Sequence, residues 1–215
     1  SEFAPRPHLQ YFTFYYQFKC DHRDIKNYPL NGYYFDVELS KSGFGILKDE
    51  SVHNDFIHTS SRKFWKLRNR WYYACGVNAK FVAQKEQPYF MLRALGYGND
   101  FVRSYEYYVV DGQTFGLFKS NLKFELLPTK VKTFKFIPAK KFNKLFYSLY
   151  LNAILDAAYV YGSSAGSMSA MSNQLLFGGG FGIDFVTYYD KVLRIEWTVN
   201  HMGENEFFMH FVAPI

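Results

Sequence analysis

The chain has 215 residues, enough for one domain, and carries 24 Phe, 19 Tyr and 3 Trp with a formal net charge of +6. No run approaches the ~18 apolar residues of a membrane helix and the mean hydropathy is −0.23, which together exclude a helical membrane protein. The basic residues (Lys19, Arg70, Lys80, Lys119, Lys123, Lys132, Arg194) are scattered, not striped, so nucleic acid is not expected as a partner.

An aromatic content of 21 % far exceeds that of an average soluble domain and needs a place. A membrane β-barrel offers one in the aromatic girdles beside its lipid band, and its alternating lipid-facing and lumen-facing residues keep mean hydropathy low. The chain opens on Ser1-Glu2-Phe3 without a signal peptide, so a processed or incomplete chain is expected.

Nine segments alternate with period two. The first is 11–20. In the second, Tyr33, Phe35, Val37 and Leu39 oppose Asp36, Glu38 and Ser40. Two more, about 55–66 and 71–82, meet through a short turn at Leu67–Arg70. A long aromatic, Gly-rich loop (84–114) follows, built around a central arginine, Arg103. The pattern resumes at 119–126, where Leu122, Phe124 and Leu126 oppose Lys119, Asn121, Lys123 and Glu125. Residues 147–156 set Tyr147, Leu149, Leu151, Ala153 and Leu155 against Ser148, Tyr150, Asn152 and Asp156. Residues 175–185 set large apolar residues against Gly178, Gly180, Gly182 and Asp184. In 192–200, Leu193, Ile195, Trp197 and Val199 oppose Arg194, Glu196, Thr198 and Asn200, and 207–213 closes the series.

A soluble sandwich would alternate similarly. A barrel is favoured because full charges occupy successive polar positions (Arg194 with Glu196, Lys123 with Glu125), as a wet lumen would allow. The apolar face is also rich in large aromatics, with no helix to cover it. Short turns at Leu67–Arg70 and Tyr188–Lys191 contrast with long loops at 83–113 and 161–174, as in outer-membrane barrels. The connections 21–31 and 128–144 are exceptions, being long on the short side. Cys20 and Cys75 fall on separate strands at lipid-facing positions and read as small apolar residues, with neither a disulfide framework nor metal spacing.

Val102-Arg103-Ser104-Tyr105, after Gly96-Tyr97-Gly98 and before Asp111-Gly112, resembles the lumen-loop motif of the BamA/TamA-like outer-membrane β-barrel superfamily, the bacterial surface antigen family. Ala153–Ala158 resembles its aspartate-bearing strand motif, and Phe177–Phe211 its last three strands. Two positions depart from the family: Ser104 and Ala158 stand where glycine is usual, and Ser104 is expected to need a glycine-like conformation.

The resemblance implies that 1–215 is one antiparallel transmembrane β-barrel domain, the C-terminal nine or so strands of a sixteen-stranded barrel. It implies that Arg103 meets Asp156 on the barrel wall, with Tyr150 as a stacking surface. It further implies a seam strand at about Glu206–Ala213, whose Phe207, Met209 and Phe211 face lipid, where client strands add to an opened edge. The expected function is insertion and folding of β-barrel proteins in a Gram-negative outer membrane. The partners would be outer-membrane lipids, unfolded client proteins and accessory lipoproteins, with no enzymatic activity, cofactor or metal. A polypeptide-secretion pore, the translocator of a fused enzyme, and a plain channel or surface-binding barrel are the alternatives.

Two motifs point elsewhere on spacing alone. Gly162-Ser163-Ser164-Ala165-Gly166 has nucleophile-elbow spacing, with Asp184 or Asp190 and His201 or His210 downstream, but no helix pattern follows it. Gly178–Gly182 lacks the spacing of a dinucleotide fingerprint; its glycines read as packing room beneath a folded-in loop or as a strand bend. His58, His201 and His210 are isolated in sequence, so metal ligation is not expected of them.

Overall fold

A computed structural model of the chain describes residues 9–47, 52–84, 87–133, 144–162, 169–187 and 191–211. Nine strands form a single antiparallel sheet: β1 (Thr13–Asp21), β2 (Gly32–Ser42), β3 (Asn54–Arg68), β4 (Trp71–Val82), β7 (Thr114–Thr133), β8 (Lys144–Tyr161), β9 (Leu175–Thr187), β10 (Lys191–Asn200) and β11 (Asn205–His210). They lie side by side in chain order, β1 at one edge and β11 at the other. The interruption between β4 and β7 holds a small ribbon, β5 (Arg93–Leu95) with β6 (Val110–Asp111), and two 3-10 turns, η1 (Tyr89–Met91) and η2 (Arg103–Tyr105).

The sheet is open, not closed: β1 and β11 are not paired with each other among the described residues. Closure of these nine strands on themselves would have abolished both edges, so as it stands the chain presents two.

The alternation seen in the sequence sets the register. Asp184 pairs with Arg194 and Ile183 with Ile195, which keeps charges on one face and large apolar groups on the other. A four-residue turn at 188–191 would have put Asp184 opposite Ile195, mixing the faces; pairing Thr187 with Lys191 avoids this by leaving three residues between the strands. The β3–β4 turn is likewise tighter than expected, with Arg70 at φ 68 and a register shift between Lys66 and Arg68.

β7 and β8 run well beyond the expected 119–126 and 147–156. Register shifts between Glu125 and Leu127, and again between Leu127 and Lys130, flank Pro128, which has no N–H to donate to a ladder. The bulges break the period-two pattern without ending the strands, so alternation alone stops too early.

One face is lined by exposed apolar and aromatic side chains, among them Ile57 (48 %), Phe181 (66 %) and Phe207 (64 %). The other face carries most of the charges, though Lys63 and the ion-paired register partners Lys41 and Asp55 lie on the first. Those on the second face are not solvated as the sequence pattern suggested: Lys119, Lys123, Asp156, Asp184, Arg194 and Glu196 are all buried, because two connecting segments lie across them.

Candidate functional site

The segment 22–31 is the smaller cover. The Asp24 carboxylate accepts hydrogen bonds from the backbone N–H groups of Ile25 (2.8 Å), Leu30 (3.1 Å) and Asn31 (3.1 Å), curling the chain into a compact turn. This turn delivers Tyr28 to the charged face, where its hydroxyl donates to Asp184 Oδ2 at 2.7 Å. Asp184 also receives two hydrogen bonds from Arg194, Nε to Oδ1 at 2.6 Å and Nη2 to Oδ2 at 2.7 Å. The Lys123 ammonium lies 3.9 Å from the centroid of the Tyr28 ring, a cation over a π face. Burial, followed by the negative charge of Asp184, holds the Tyr28 phenol well above its ordinary pKa, so it remains a donor.

The segment between β4 and β7 is the larger cover. Gly96 enables its main bend: its φ is +85, and a Cβ there would collide with the Tyr108 carbonyl. Ala94, Leu95, Val102, Tyr105 and Val110 pack against Phe115, Leu117, Ala158, Val160 and Leu176 of the sheet, forming the main buried cluster. Burying a Val or Leu side chain contributes about 1.5–3 kcal/mol. Apolar contact therefore holds much of this segment in place, and Ala158, which stands where the resembled family has glycine, is part of that contact.

Arg103 completes the attachment. It is fully buried, and its backbone N–H donates to Asp156 Oδ2 at 3.1 Å, its Nε to the same oxygen at 2.8 Å, and its Nη2 to the Ser120 carbonyl at 3.0 Å; Nη2 also bonds Asp156 Oδ1. The fork of the guanidinium thus meets the carboxylate bidentately. Lys119, register partner of Asp156, places its ammonium 4.1 Å from the Phe101 ring centroid.

Further contacts pin the same segment. Asp100 accepts from Asn78 Nδ2 at 2.5 Å and lies 3.1 Å from His58 Nε2. Burial works against the Asp100 carboxylate, but hydrogen bonds from His58 and Asn78 outweigh it and lower its pKa. The Tyr105 hydroxyl bonds His201 Nδ1, the Tyr108 hydroxyl donates to Glu204 at 3.0 Å, and Glu106 Oε1 lies 3.1 Å from His210 Nε2.

The structure therefore brings Val102, Arg103, Ser104, Tyr105 and Asp156 together, all of them buried. Tyr150 is elsewhere. It shares a face with Asp156 but lies six residues along β8, roughly 20 Å at the rise of a strand. Its ring lies tilted against that of Tyr28, with centroids 5.1 Å apart and planes 46° from parallel, and its register partner is Asp184. Nor does Ser104 need a glycine-like backbone: among the described residues only Arg70 and Asn173 have positive φ outside glycine. The glycine that matters is across from it, since a Cβ at Gly178 would collide with the Ser104 side chain and lie 2.7 Å from the Val199 carbonyl. Phe207 and Met209 are exposed on the apolar face along the edge strand, and Phe211, one residue past its end, is exposed as well.

Cys20 and Cys75 are free thiols. Residues 163–168, which hold most of the elbow-like motif, and 212–213 of the expected seam strand lie outside the described residues. The sequence reading missed Tyr28, Asp184 and Arg194 as a cluster. The hairpin arithmetic around 188–190 could have paired the last two, whereas nothing local marks Tyr28, whose partner is 156 residues away. Comparison of the sequence with protein-family models and with curated proteins finds no match.

Proposed function

We propose that this chain is part of a transmembrane β-barrel of a Gram-negative outer membrane, and that it assists insertion and folding of other outer-membrane proteins. The observation that carries the membrane reading is the division of the sheet's two faces. Large apolar side chains stand exposed on one face, while the buried charges lie on the other beneath two covering segments. A lipid contact would reward the first and a barrel interior the second. The open edges suit a sheet completed by further strands, sixteen in the resembled superfamily.

Two features favour assembly over a plain conduit. The interior face is filled by the segment around Arg103, which would have to leave before solutes or polypeptide could pass. The edge strand β11 is only six residues long and offers unpaired backbone groups to a client strand, with Phe207 and Met209 turned toward lipid. Clients, lipids and accessory lipoproteins would be the partners. Purified protein in lipid vesicles should accelerate folding of an unfolded outer-membrane protein without conducting ions. Ion conductance with no acceleration would instead assign a channel. Wild-type acceleration by Arg103→Ala would remove the anchored loop from the mechanism.

A further inference from the structure

Glu106, Glu196 and His210 are far apart in sequence, but the fold brings their donor atoms within 4.8 Å of one another. Glu106 follows η2 in the covering segment, Glu196 lies on the charged face of β10, and His210 ends β11. His210 Nε2 sits 3.1 Å from Glu106 Oε1 and 3.5 Å from Glu196 Oε1. We propose that these three side chains form a binding site for a zinc-type divalent cation, and that filling it ties the covering segment to the edge strand. The inference stands apart from the membrane reading above.

The strongest indication is Glu196. Its residue is 1 % exposed, yet neither carboxylate oxygen has a well-aligned hydrogen-bond donor among the described residues, the nearest cationic group being His210 Nε2 at 3.5 Å. The Arg194 Nε is 3.8 Å away, and that guanidinium is already engaged with Asp184 at 2.6 and 2.7 Å. A buried carboxylate without hydrogen bonds is costly, and a second carboxylate brought beside it adds repulsion. A dication bound between them, displacing any proton from His210 Nε2 to solvent, would offset both penalties more fully than that proton can.

The donor set selects the metal class. One imidazole nitrogen with two carboxylate oxygens suits zinc, which takes three protein ligands and a water in open sites; magnesium and calcium prefer oxygen alone. Zinc–ligand bonds of about 2.0–2.2 Å place tetrahedral donors roughly 3.3 Å apart, so the two distances to His210 already fit. Only a small side-chain movement of the two glutamates would complete the geometry. The Glu106 and His210 side chains remain 15 % and 21 % exposed, which leaves a route for the ion and for a water ligand.

The test is titration of the full chain, folded in detergent and free of a polyhistidine tag, with Zn²⁺ by calorimetry and Co²⁺ by absorption. One equivalent of each should bind without a thiolate charge-transfer band, and excess Mg²⁺ should not compete. Glu106→Gln and His210→Asn should each weaken binding tenfold or more while leaving the circular dichroism unchanged. In the unsubstituted chain, Zn²⁺ should slow amide exchange in both 103–108 and 205–210. Absence of saturable binding would overturn the proposal, as would equal affinity in both variants or exchange that zinc does not alter. A thiolate band would also overturn it, by pointing to Cys20, whose sulfur lies 3.3 Å from His22 Nδ1.

Discussion

The charged face has two buried arginine–aspartate centres built from the same parts. In each, a guanidinium forks onto a carboxylate, and a buried lysine of β7 sits under an aromatic ring from a covering segment: Lys119 under Phe101, Lys123 under Tyr28. The difference lies in which elements the pair joins. Arg194 and Asp184 are register partners on adjacent strands, ten residues apart, so their pairing forms with the β9–β10 hairpin. Arg103 and Asp156 are 53 residues apart and join a covering segment to the wall. The first centre belongs to the sheet, whereas the second holds something that could be released from it.

This contrast is tested most severely by Arg194→Ala. Removing one member of a buried pair typically costs about 3–5 kcal/mol, because the other charge stays buried and unpaired. Here Asp184 would be stranded within the sheet, so loss of cooperative unfolding stability, followed by circular dichroism in urea, should be the largest effect. An effect confined to segment 22–31 would contradict the assignment.

Arg103→Ala strands Asp156 in the same way, but the covering segment can move and let water in. The expected change is local: amide exchange in 96–110 should quicken by about a hundredfold, the equivalent of roughly 3 kcal/mol, while β9 and β10 keep their protection. Uniform loss of protection across the sheet would mean that both centres are structural in the same sense.

Gly178→Ala attacks the same segment without touching a charge, since the new methyl group would collide with Ser104. A destabilisation of about 1–3 kcal/mol is expected. Adding Ser104→Gly should recover part of it, leaving the share due to the Val199 carbonyl. No recovery in a double-mutant cycle would place the strain elsewhere.

The smallest effect should come from acid. The folded-state pKa of Asp100 is lowered, so its contribution is fully present above the unfolded value and is lost as pH falls. The covering segment should therefore loosen below about pH 4, read as faster exchange in 96–110. Asp100→Asn should remove that dependence, and an unchanged acid profile in the variant would assign it to another carboxylate.

Much of this was legible in the sequence. Nine alternating segments correspond to the nine strands of the sheet, because one exposed apolar face and one charged face leave little freedom of register. What was lost had local causes. The end where β7 passes Pro128 and β8 begins was hidden by bulges, where the face of each residue changes parity. The juxtaposition of Arg103 and Asp156 was implied by the resemblance of the loop and strand motifs, not by periodicity, and the same resemblance misplaced Tyr150. Tyr28 and the Glu106–Glu196–His210 cluster left no trace in spacing, since their partners are set by how segments fold over the sheet.

The central claim is that the apolar face meets lipid, and all three tryptophans report on it. Trp65, Trp71 and Trp197 are 37 %, 42 % and 46 % exposed on that face. Reconstituting the protein in vesicles of brominated lipid and measuring tryptophan emission tests the claim directly. The account expects strong quenching by the brominated chains and little by aqueous iodide. Emission untouched by brominated lipid but quenched by iodide would place that face in water and contradict it.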